Sequence, residues 1–178
     1  MKLLARNSRY WLPVLFWLGV IVYESFRLSS NVTGSWLLHL FHLLHIQLSS
    51  AAFSSLHHFL RKAGHVTGYG IFCLLLFRAC FHTLRLPHPV IAQHHRVHRD
   101  GALEQLRVMH ARSAALAISL TLATAVFDEW HQAFDRARTS SPWDVALDVS
   151  GGVAFLAFAL LVLRMWRERP RQWDTASA

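Results

Sequence analysis

Four runs of this chain stay apolar long enough to leave water altogether. They are "YWLPVLFWLGVIVYESFRL" from Tyr10, a stretch from Leu60 to Leu84 containing "IFCLLLFRACF", "SAALAISLTLATAVFDEW" from Ser113, and "VALDVSGGVAFLAFALLVLRMW" from Val145. A hydrocarbon layer of about 30 Å takes roughly 20 residues as helix, and only helices and closed barrels satisfy their own backbone hydrogen bonds there. The runs predict an all-α polytopic membrane protein with four transmembrane helices, over residues 10–28, 60–84, 113–130 and 145–166. The 178 residues read as one integral membrane domain.

Charge separates this reading from a soluble basic protein. The chain is 53% hydrophobic, yet its pI is about 10.7. A nucleic-acid binder gathers cations on a polar surface. Here 16 of the 18 cations are Arg and fall between apolar runs, so membrane lipids rather than nucleic acid are the expected partners. Seven Trp and twelve Phe suit membrane interfaces. Cys73 and Cys80 lie in one apolar run, without a disulfide or zinc pattern, and read as buried small residues. Lys2, Arg6 and Arg9 precede the first run as in a secretory signal, but no small-x-small cleavage site follows, so an uncleaved first span is expected.

Orientation follows from the cations. The N-terminal tail, the connection after the second span and the C-terminal tail together hold twelve of them. The opposite side holds five: Arg27, Arg61, Lys62, Arg136 and Arg138. Both termini are therefore expected in the cytoplasm, in a bacterial inner membrane. Between the first two spans, "WLLHLFHLLHI" is too short to cross and reads as an interfacial helix on the outer leaflet. Its His39, His42 and His45 read as polar surface positions, with a metal site the lesser alternative. His94, His95 and His98 sit in a cytoplasmic connector expected to be basic and solvated.

Alternating sides bring "RKAGHVTGY" and "DEWHQAFDRARTSSPWDVALD" to one face. Arg61, His65 and Tyr69, at four-residue spacing, share a helix stripe. Gly64 and Gly68 flank it and are expected to admit a neighbouring helix closely. Asp128 and Gln132 share a face, as do Asp144 and Asp148, with Glu129 a third of a turn from Asp128. A Ser or Thr139 of "TSSP" is expected to cap the last helix, with Pro142 in its first turn. Ionisable groups inside a span normally pair or line a wet cavity. The natural partners of Asp128, Glu129 and Asp148 are Arg61, Lys62, Arg138 and His65. One outcome is a salt-bridge lock; the other is a pocket for an anionic or polyhydroxylated ligand.

These two blocks resemble the VanZ-like membrane protein family. Its pattern is Lys-x-x-His with Tyr four residues on, then Glu-x-x-Gln, a following Arg, and Asp-x-x-x-Asn before small residues. Lys62, His65, Tyr69, Glu129, Gln132, Arg138 and Asp144 match, with Gly151 and Gly152 behind. Asp148 stands where the family commonly has Asn, "RARTSS" lacks the Gly often found beside the Arg, and the His-rich connector is long. The resemblance covers residues 10–165 and implies a cell-envelope protein. The family is named after a protein that lowers susceptibility to teicoplanin.

Three functions compete. In the first, Arg61, Lys62 and Arg138 grip the phosphate or carboxylate of a lipid-linked or glycopeptide-related ligand, since the Arg fork pairs with oxyanions. Tyr69, Asp128, Glu129, Gln132, Asp144 and Asp148 complete the expected ligand-binding set with His65. In the second, an intramembrane enzyme acts on a lipid phosphate or glycolipid. His65 is then base or nucleophile, Glu129 or Asp128 orients it, and His65 and Glu129 are the catalytic candidates. No cofactor is required, although a divalent metal at Asp128, Glu129, Asp144 and Asp148 would suit this reading. In the third, the cluster is a structural scaffold. A channel would want a polar stripe through a whole span, and "ALAISLTLATAVF" has none.

Overall fold

A computed structural model describes residues 2–27, 30–85, 99–134 and 141–168, with side chains over 8–25, 32–85, 104–134 and 141–166. The described chain is all helical: α1 (Lys2–Arg27), α2 (Ser30–Leu43), α3 (Ser50–Leu84), α4 (Arg99–Gln132) and α5 (Pro142–Glu168). Among the described residues three segments are long and apolar enough to cross a membrane: Ser50–Leu84, Glu104–Gln132 and Pro142–Trp166. The first helix, expected to be a fourth span, is not among them, although it has 26 residues. Pro13, Glu24 and its Trp and Tyr rings dilute the apolar run.

Several boundaries depart from expectation. The third helix starts at Ser50 rather than near Leu60, and the Ser49 side chain caps it by accepting from the Ala52 N–H at 3.3 Å. At 1.5 Å per residue this helix is roughly 50 Å long, so it outruns a bilayer core. The basic connector before the third expected span, read as partly ordered, is helical from Arg99. His94, His95 and His98 lie outside the described residues, as do Arg136 and Arg138. The second helix begins earlier than "WLLHLFHLLHI" and ends at Leu43. His45 takes a left-handed φ of 55°, which lets the Ile46 N–H reach the Phe41 carbonyl at 2.9 Å and close the helix end. His39, His42 and His45 are all exposed.

The α3 helix is the hub and packs on α1, α4 and α5. Helices in lipid approach through small residues, because lipid tails remove the hydrophobic drive between them. Accordingly α4 presents a four-residue ladder to the bundle, Ser113, Ala117, Thr121 and Ala125, each at most 1% exposed. The hydroxyls of Ser113 and Thr121 donate to the Met109 and Ala117 carbonyls at 2.8 Å, so neither is left unpaired. Tyr69, Phe72, Cys73 and Leu76 of α3 meet Leu156 of α5 and Val14 and Ile21 of α1 in the core. Both cysteines are free and buried.

The close-approach glycines are not those expected. A Cβ at Gly64 or Gly68 would meet nothing within 4 Å. At Gly151 it would lie 2.5 Å from the Val66 carbonyl oxygen, and at Gly70 2.6 Å from the Phe155 ring. The intimate contact is therefore α3 against α5 at Val66 and Gly70, on a different face of α3 from Gly64 and Gly68. At the far end, Trp11 Nε1 donates to Thr83 Oγ1 at 3.1 Å, and Tyr10 stacks on His82 at 3.9 Å. The Arg78 guanidinium sits over the Tyr10 ring at 5.3 Å. Large apolar side chains such as Phe16, Leu116, Phe158 and Leu161 point outward. That inside-out distribution suits lipid.

Candidate functional site

The polar residues gather where the start of α5 and the end of α4 meet the middle of α3, and four contacts tie the three helices there. Tyr69 donates its hydroxyl to Asp128 Oδ2 at 3.1 Å, joining α3 to α4; the two residues are 2% and 7% exposed. Lys62 Nζ lies 3.0 Å from Asp144 Oδ1, and His65 Nδ1 lies 3.5 Å from Asp148 Oδ2, both joining α3 to α5. The Ser141 backbone N–H donates to Glu129 Oε2 at 3.0 Å, joining α4 to the start of α5. Ser141 is itself the cap, since its Oγ accepts from the Trp143 N–H at 3.2 Å. The expected serine cap with Pro142 in the first turn is thus in place.

One expected pairing forms, Asp148 with His65, while Lys62 pairs with Asp144. Glu129 accepts from a backbone amide at a helix N-terminus, where a carboxylate also meets the positive end of the helix dipole. Asp128 takes a tyrosine hydroxyl. The carboxylate in contact with His65 is that of Asp148, not of Glu129 or Asp128. At 3.5 Å this is a charge contact rather than a short hydrogen bond. Arg138 lies outside the described residues, so its part in the cluster is not placed. Among the described residues no three His, Cys, Asp or Glu side chains come together as a metal-holding set.

Among the described residues, two polar atoms in this cluster are buried without a protein partner, Asp148 Oδ1 and Gln132 Nε2. Asp148 is 1% exposed and Gln132 7%. A buried polar group without a partner costs about 1–3 kcal/mol, so these are the two points where a lock alone is incomplete.

Beside the cluster is a cavity of about 240 Å³ whose polar lining is Glu24, Thr33, His57, Arg61 and His65. It draws on three helices, α1, α2 and α3. Thr33 Oγ1 and His57 Nε2 are 2.9 Å apart and hold α2 against the first turns of α3. A smaller recess next to it touches Glu24, His65, Tyr69 and Asp128 and has room for about one water molecule. His65 belongs to both spaces and to the Asp148 contact. Glu24, Thr33 and His57 were not singled out from sequence. Glu24 carried the same signal as the acids that were, an ionisable side chain inside an apolar run, whereas Thr33 and His57 gain meaning only from the fold of α2 onto α3.

A family model described as VanZ/LLP1 matches residues 10–164, most of the chain. No curated protein and no solved structure matches it.

Proposed function

The chain belongs to the VanZ/LLP1 family, and we propose that it binds an anionic or polyhydroxylated cell-envelope ligand at the outer face of the bacterial inner membrane. In this reading α1 is a fourth span, α2 lies along the outer leaflet, and both termini are cytoplasmic. The observation that carries it is the position of His65. One side of its ring meets the buried Asp148 carboxylate, while the residue also lines a cavity shared with Arg61, His57 and Glu24.

The division of labour in the cluster follows from its contacts. Tyr69–Asp128, Lys62–Asp144 and Glu129–Ser141 connect helices, and they hold the wall on which Arg61 and His65 stand. Arg61 supplies a fixed positive charge suited to phosphate or carboxylate oxygens. A native mass-spectrometric inventory of lipid and metal on purified wild type and Arg61→Gln, at matched yield, tests the proposal. An anionic species retained by wild type and lost from the variant supports it. Bulk lipid alone on both proteins leaves the scaffold as the better account.

A second reading is favoured by the His65–Asp148 contact alone. An imidazole oriented through Nδ1 by a buried carboxylate has its Nε2 left to take a proton from a hydroxyl or water. An enzyme acting on a lipid phosphate or glycolipid would use His65 in that way. His65→Gln would then abolish turnover of the retained species while leaving it bound.

A further inference from the structure

A second, apolar groove of about 410 Å³ runs between α1 and α3, walled by Trp17, Val20, Ile21, Thr67, Gly68 and Ile71. It meets the polar cavity at Glu24, Leu60 and Gly64, which line both. The groove has a built cause. Trp17 Nε1 donates to the Gly68 carbonyl at 2.8 Å, so the indole spans from α1 to the α3 backbone at its floor. Gly64 and Gly68, with open space where a Cβ would stand, leave the channel unfilled. Leu60, Gly64 and Thr67 are exposed, so the groove opens sideways between the two helices.

We propose that the polar cavity and this groove form one site for a phosphate-bearing membrane lipid, with the headgroup among Arg61, His57 and His65 and one acyl chain along the α1–α3 groove. The inference rests on the pocket proposed above and names the class of its ligand. Polarity changes along the site as it changes along such a lipid: a cation and two imidazoles at one end, and, beyond Glu24, a wall that is apolar but for Thr67. Arg61 matches a phosphate, and Glu24 at the junction can accept from a headgroup or glycerol hydroxyl. A soluble anion would need only the cavity and would leave the groove without a purpose. A bare hydrocarbon would have no use for the charges.

The test uses the full chain in phosphatidylcholine nanodiscs and two photoprobes with the same diazirine-bearing acyl chain, a phosphatidylglycerol and a neutral diacylglycerol. Cross-linked peptides are mapped by mass spectrometry. The expected result is phosphatidylglycerol label concentrated at Val20, Thr67 and Ile71, severalfold above Phe158 and Leu161 on the lipid-facing side of α5. It should fall severalfold in Gly64→Leu/Gly68→Leu. A Cβ at either position meets nothing within 4 Å, so the added bulk enters the groove, and circular dichroism checks that the variant folds. Equal labelling of α5 and the groove, or label unchanged in the variant, overturns the inference. Groove labelling that is the same for both probes also overturns it, by removing the headgroup. If soluble glycerol phosphate protects His57 and His65 from diethylpyrocarbonate while the groove stays unlabelled, the pocket stands and the lipid inference alone fails.

Discussion

Removing one oxygen from Tyr69 tests whether the outer polar cluster is cohesive. In Tyr69→Phe the ring stays in the core but the 3.1 Å hydrogen bond to Asp128 Oδ2 is lost. At 2% and 7% exposure neither residue can turn to bulk water for compensation. A hydrogen bond to a charged group contributes about 1.5–3 kcal/mol in soluble proteins. Cross-helix hydrogen bonds in a membrane average nearer 0.6 kcal/mol, because the unfolded chain also finds partners there. The Asp128 carboxylate is buried, so the upper part of the membrane range applies, a coupling of about 1–1.7 kcal/mol. The assay is reversible unfolding from mixed micelles with increasing dodecyl sulfate, on wild type, Tyr69→Phe, Asp128→Ala and the double variant. A double-mutant cycle then isolates the pair from each residue's other contacts. Coupling within about 0.3 kcal/mol of zero would refute the account of Tyr69–Asp128 as a tie between α3 and α4.

Two further outcomes follow from helix packing and capping. Gly151→Ala should destabilise by about 1–3 kcal/mol, since its new methyl would press on the rigid Val66 backbone. In the same unfolding titration Gly64→Ala should be neutral or slightly stabilising; equal losses at both positions would contradict the packing described. Glu129→Gln keeps an amide oxygen that can accept from the Ser141 N–H. Glu129→Ala, which orphans that N–H, should cost about 1–3 kcal/mol. Hydrogen exchange at the first turn of α5 should rise in the alanine variant only.

Individual residues show how far the sequence carries. Arg61, His65 and Tyr69 share a stripe that Asp148 meets at His65, and Asp144 meets Lys62 beside it, because helical periodicity fixes direction without tertiary knowledge. The choice of partner was not legible in this way. Periodicity places Glu129 at a helix end but does not show that the Ser141 N–H, twelve residues later, arrives within 3.0 Å of it. Gly64 and Gly68 look identical in sequence to a close-packing pair, yet the contact falls on Gly70 and Gly151, because the rotation of α3 about its axis is set by all three neighbours at once. Glu24 stands out in sequence as an ionisable side chain inside an apolar run, but its place at the junction of two cavities depends on α1 lying beside Gly64.

What the chain determines by itself is the class of solvent and the direction of its side chains. Long apolar runs must be helical wherever water is absent, and the positions of Arg and of the acids divide each helix into ends and faces. Only the tertiary structure decides which charges neutralise one another, which close helices, and which are left beside a cavity. Those outcomes depend on crossing angles and on separations of an ångström. Such quantities arise from the simultaneous packing of four helices and are encoded in no single segment.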